Sequence, residues 1–159
     1  MLVRALLSAF MGTAAMTLSS TVEMDARGRD PSTAPGRAAN KLLGLVGVPE
    51  LKGPPLHVLS DVTHWLYETA WAVAFWLLVD AAGLSLTAAG PLILLIMWGT
   101  AQVQLPLLGM APPTWRWETT EVLIDLWHHV VHTAATVGGW VRRGGSLRCT
   151  GSACSGAVR

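Results

Sequence analysis

Two runs of the chain carry the same ionisable pattern, Asp61-x-x-His64-x-x-x-Glu68-Thr69-Ala70 and Asp125-x-x-His128-x-x-x-His132-Thr133-Ala134. Both are embedded in Trp- and Leu-rich segments long enough to cross a bilayer. Ionisable groups at that depth are expensive unless they pair, face an internal cavity or bind something. On a helix, positions i, i+4, i+7 and i+11 form one stripe. The first stripe is then His57, Asp61, His64 and Glu68, with Ser60 beside it; the second is Glu121, Asp125, His128 and His132, with His129 on an overlapping stripe with Asp125. Glu23 belongs at the same membrane side as His57 and Asp61. The pattern predicts an acidic and imidazole cluster reaching from one wet face about half-way into the membrane.

Four kinds of chemistry fit such a cluster. A hydrogen-bonded network locks helices together, at well under ~1 kcal/mol per interhelical contact. A divalent metal suits imidazole plus carboxylate, and helix bundles build such sites from facing helices. Its candidate ligands are Glu23, Asp61, His64, Glu68, Glu121, Asp125, His128, His129 and His132, although no paired Glu-x-x-His motif is present. Passage of a proton or cation suits histidine and desolvated carboxylates. Axial ligation of haem by His64 and either His128 or His129 requires a cavity between two helices. No nucleophile-base arrangement, Gly-rich phosphate loop or hydrolase elbow occurs, so a non-enzymatic role is expected.

The elements that must position these residues follow from composition. The chain has 159 residues, 52% hydrophobic and 13% charged. Soluble domains carry about 25% charged residues, so the deficit points to a membrane protein. A formal net charge of +1 provides no broad basic face for nucleic acid. Four helical spans are predicted, over residues 2–22, 57–79, 91–110 and 118–141. Each has roughly the twenty residues needed to cross a ~30 Å hydrocarbon core as a helix. The first also has the outline of a signal peptide, but it lacks a clean small-x-small site, and Ser8, Gly12 and Ala15 give it a face for close packing. A retained helix is expected. Trp115, Trp117 and Trp140 read as interfacial anchors, whereas Trp65, Trp71, Trp76 and Trp127 lie deeper.

Arg37 to Val46 reads as a short amphipathic helix lying at the interface, inside a polar first connection from Asp25 to Pro55. The third connection is stiffened by Pro112-Pro113. The membrane domain ends at residue 143, and residues 144–159 form a Gly/Ser-rich flexible tail whose Cys149 and Cys154 read as incidental thiols. Positive residues divide five (Arg4, Arg142, Arg143, Arg148, Arg159) against six (Arg27, Arg29, Arg37, Lys41, Lys52, Arg116) between the two sides. Adjacent Arg142-Arg143 tips the expectation to both termini inside.

The doubled ionisable pattern implies two tandem helical hairpins. Met97-Trp98-Gly99-Thr100-Ala101 also echoes Phe10-Met11-Gly12-Thr13-Ala14. Two-helix repeats run parallel, related by an axis along the membrane normal. Over residues 57–143 the chain resembles the YagU-type family of bacterial inner-membrane proteins, a group without an established reaction. The resemblance rests on Thr63-His64, on Leu105-Pro106-Leu107-Leu108-Gly109-Met110-Ala111-Pro112-Pro113, on Glu121, Asp125 and His129-Val130-Val131, and on Arg142-Arg143. A weaker match covers the first span through Glu23 and Pro31-Ser32. In the family pattern a carboxylate stands four residues before the later histidine, which pairs Asp125 with His129 rather than with His128. The first connection is shorter here, and His57, His128 and His132 depart from the family pattern. The resemblance implies an inner-membrane location and a helical fold. The whole reading is an all-α, four-transmembrane-helix bundle in contact with lipid, binding a cation or proton. The alternative is an accessory subunit docking onto a membrane-protein partner or a second copy.

Overall fold

A computed structural model describes residues 2–142, and the predicted tail, with both cysteines and Arg143, lies outside them. The described residues form five α-helices and no strand: α1 (Leu2–Arg27), α2 (Ala34–Gly44), α3 (Pro54–Trp76), α4 (Leu86–Leu107) and α5 (Thr119–Arg142). A π-helical turn, Leu77–Ala81, extends α3, and a 3-10 turn, Thr114–Arg116, precedes α5.

The first helix runs past the predicted end at residue 22 to Arg27. Gly28, at φ +62°, stops it in a left-handed cap, with the Arg29 N–H donating to Met24 O at 2.9 Å and the Gly28 N–H to Asp25 O at 3.2 Å. Pro54 and Pro55 occupy the first turn of α3, where their missing N–H groups cost nothing. Pro91 lies inside α4 rather than opening it, so that helix begins at Leu86.

The long helices form a four-membered ring. α1 packs against α3 and α5, and α4 against the same two, leaving α1 opposite α4 and α3 opposite α5. Chain direction alternates around the ring: Arg4 of α1 lies over the ring of Trp140 near the end of α5, and Arg27 reaches Glu121 in its first turn. At the Arg4 end of the bundle, Ala5, Phe75, Leu86, Ala89, Ile93 and Trp140 form the hydrophobic core. The other end carries the ion pairs described below.

Two helices, Val3–Arg27 and Leu86–Leu107, are long and apolar enough to cross a membrane by length and composition. The expectation of four such helices is not met by α3 and α5, because the ionisable residues that mark them also lower their apolar content. Trp140 is no interfacial anchor either. It is 1% exposed, held edge-on by Phe75 at 6.0 Å between ring centroids and capped by the Arg4 guanidinium at 3.7 Å.

The helix expected at Arg37–Val46 starts at Ala34 and packs on the start of α3. Gly36 permits that approach: a Cβ there would meet Leu56 O at 2.7 Å and Ser60 N at 2.9 Å. Asn40 pins the following loop, donating to Leu51 O at 2.9 Å and accepting from Leu51 N at 3.2 Å. Leu45 and Val46, just beyond the helix, are 82% and 77% exposed. The amphipathic pattern is thus divided between a polar and glycine face on α3 and an uncovered apolar lip.

Candidate functional site

The ionisable residues occupy successive levels of the bundle. At the outermost level, Arg27 bridges Glu23 (2.9 Å) and Glu121, while Arg29 reaches Glu121 at 3.0 Å and Glu23 at 3.7 Å. One turn deeper, His128 approaches the Glu23 carboxylate at 4.0 Å and shares a hydrogen bond with the Ser19 hydroxyl at 3.0 Å. His64 on α3 shares one with the Thr17 hydroxyl at 3.2 Å. Both imidazoles thus turn to α1 rather than to each other.

The deepest level holds the pair that matters most. Glu68 on α3 and His132 on α5 are 3% and 2% exposed, and their Oε2 and Nε2 atoms lie 3.2 Å apart. Both atoms lack a hydrogen-bond partner, as does His132 Nδ1, so the approach is a close polar contact outside hydrogen-bond geometry. A buried charge survives only when paired or neutralised, and among the described residues each of these groups has the other as its one oppositely chargeable neighbour. They occupy corresponding places in the two ionisable patterns and meet across the ring.

Close helix contact keeps the pair buried. At Gly12 of α1, a Cβ would lie 2.1 Å from Thr136 Oγ1, 3.0 Å from His132 O and 3.1 Å from His132 Cδ2. The absent side chain lets α1 seat directly on the His132 turn. At Gly139, one turn beyond Thr136, a Cβ would meet Met11 Sδ at 2.9 Å. Beneath the pair lies a cavity of about 10 Å³, bounded by Ala72, Phe75, Ile93, Met97 and Thr133 among others, with carbon at its accessible wall.

Asp125 joins a different set. Its Oδ2 accepts from Trp98 Nε1 at 2.8 Å and from Gln102 Nε2 at 2.9 Å, tying α4 to α5. His129 Nδ1 donates to the Asp125 backbone carbonyl at 2.7 Å and lies 3.9 Å from its carboxylate. Asp125→Ala is expected to strand both donors and loosen α4, at about 1–3 kcal/mol. Thermal unfolding in detergent with a red-shifted Trp98 emission checks this; an unchanged midpoint removes Asp125 from the α4 contact.

The nine predicted ligands therefore do not converge. Asp61 is exposed, as is His57 above it; Glu121 belongs to the arginine network; and Asp125 is claimed by α4. Among the described residues, no three His, Cys, Asp or Glu side chains come close enough to hold a metal ion. Haem ligation requires His64 and a partner histidine to face a common space, but His64 and His128 face separate hydroxyls, and the cavity beneath Glu68 and His132 is far smaller than a macrocycle. Sequence reasoning missed Thr17, Ser19, Trp98 and Gln102, whose roles depend on neighbours distant in the chain. Small hydroxyl residues on the packing face of α1 were the available signal. No family model, curated protein or solved structure matches the chain.

Proposed function

We propose that the chain is a multi-pass protein of the bacterial inner membrane, and that its Glu68–His132 pair holds and exchanges a proton. In this reading α1, α3, α4 and α5 all cross the bilayer as two tandem hairpins, in keeping with the YagU-type resemblance. The buried Glu68–His132 approach carries the proposal. An acid facing a base, with no further ligand in reach, is suited to one proton rather than to a metal ion. Burial of Glu68, His128, His129 and His132 inside the ring keeps them from lipid.

Infrared difference spectroscopy of the purified protein after a pH jump tests this directly. A carboxyl C=O signal is expected in the wild type and is lost in Glu68→Gln. Stoichiometric metal that disappears in His132→Ala would replace the proton with a cation. No carboxyl signal at all would reduce the pair to a packing contact.

A second reading, an accessory subunit, is favoured by the outer face of α4. A shallow, open surface there is formed by Leu95, Ile96, Gly99, Thr100, Val103, Gln104 and Leu107. Purification in mild detergent separates the two readings. A partner subunit held in constant ratio supports docking, and a monodisperse single chain removes it.

A further inference from the structure

We infer that α2 and the turn after it are seated at the headgroup–acyl boundary of the bilayer, with Leu42, Leu45 and Val46 among acyl chains and Arg37 among phospholipid phosphates. This rests on the proposed crossing of the bilayer by α1, α3, α4 and α5, and adds where their first connection sits. It does not depend on a proton at Glu68 and His132.

The sequence of α2 sets three kinds of side chain on adjacent rows, since residues four apart share a face. Gly36 and Asn40 form the first row and are buried, with Gly36 against Leu56 and Ser60 of α3. Arg37 and Lys41 form the second row, and both are exposed. Leu42 begins the third. The chain carries it on through Leu45 and Val46, whose N–H groups donate to Leu42 O at 3.2 Å and Leu43 O at 3.1 Å. Gly47, at φ +82°, then turns the chain away. Outside its contact with α3 the segment therefore presents a basic edge beside an apolar edge, the division that lays a helix in a membrane interface. Leu42, at 53% exposed, joins the lip of Leu45 and Val46, and nothing in the bundle covers them.

Position and charge fit the same occupant. α2 packs on α3, and the Lys41 ammonium donates to Leu108 O, just past the end of α4. It thus lies at the end of the bundle where α3 begins and α4 finishes. Trp115, in the connection from α4 to α5 at that same end, is 84% exposed. Tryptophan at the end of a span favours the headgroup level. Apolar side chains therefore emerge from two separate connections at one end, as a surrounding bilayer requires; a docked protein would cover a single patch. Between Asp30 and Glu50 the only charged residues are Arg37 and Lys41, and Glu50 is engaged by Lys52 at 3.5 Å. The charge beside the lip is cationic, which matches lipid phosphate.

The test uses the full chain in phospholipid vesicles, with Cys149 and Cys154 changed to serine. A spin label is attached in turn at Val46→Cys, Leu95→Cys and Glu118→Cys, all exposed positions. Electron paramagnetic resonance reads the access of each label to oxygen, which concentrates in lipid, and to a water-soluble nickel chelate. The oxygen-to-nickel ratio is expected to be several-fold higher at Val46 than at Glu118, and highest at Leu95 on the outer face of α4. A Val46 ratio equal to that of Glu118, or a Val46 label shielded from both reagents by protein, overturns the inference; a lipid-like Leu95 then leaves the crossing intact. A nickel-accessible Leu95 overturns the crossing and the inference together. Arg37→Glu sets a carboxylate against the phosphates and is expected to lower the Val46 ratio, whereas an unchanged ratio overturns the phosphate contact.

Discussion

Glu68→Ala lowers the stability of the bundle by about 3 kcal/mol, because truncating a buried side chain leaves a cavity and strands the buried His132 ring. The value falls at the low end of the usual range. Helices that separate within a membrane still find other polar partners, which shrinks the difference between the two states. The double replacement Glu68→Leu with His132→Phe behaves differently. Apolar side chains of similar volume restore most of the loss, since buried pairs are seldom more stabilising than well-packed hydrocarbon. Unfolding midpoints of the two single variants and the double variant in detergent close the cycle. Additive losses would show that Glu68 and His132 are not coupled. Recovery in the double variant, together with a lost pH response, would show that the pair serves function and not cohesion.

Gly12→Ala is the second large effect. The new methyl group collides with Thr136 Oγ1 and comes about as close to the His132 carbonyl as a Cβ is ever found, at 3.0 Å. A β-branched threonine in a helix has little rotamer freedom with which to retreat, and a backbone carbonyl has none. α1 must therefore move away from α5, at about 1–3 kcal/mol for an overpacked contact. Thr136→Ala in the same chain removes the worst clash and is expected to recover part of the loss. Thermal unfolding measures both. The separation also lifts Ser19 from His128, so Gly12→Ala should perturb the His128 imidazole resonance, while a distant glycine such as Gly99, with nothing within 4 Å of a Cβ, tolerates alanine. An undisturbed Gly12→Ala protein would mean that α1 does not seat on the His132 turn.

Much of this architecture can be read from residue spacing. The helical stripes through His64 and Glu68, and through His128 and His132, identify the faces that turn inward, and the doubled pattern anticipates their meeting. Periodicity is silent on how each helix is rotated relative to its neighbours, which explains why Asp61 and Glu121 were grouped with residues they do not touch. Asp61 is exposed on the outer part of its stripe; Glu121 finds Arg27 only because α1 continues past Glu23. Asp125 shares a stripe with His128 in sequence, yet two donors from α4 capture it. Trp140 sits at a helix end, where tryptophan commonly anchors to the interface, but Arg4 and Phe75 enclose it. Each of these outcomes is decided by a contact with a helix distant in the chain, information that a local window does not contain.

Glu68 and His132 stand at equivalent places in two similar sequence patterns and lie 3.2 Å apart. Two identical chains meeting about a twofold axis would bring together two acids or two bases at that place, and neither combination shares a proton without an outside partner. One chain that carries both patterns is free of that constraint. It sets unlike groups face to face, an arrangement that a homodimer built on either pattern alone could not reproduce.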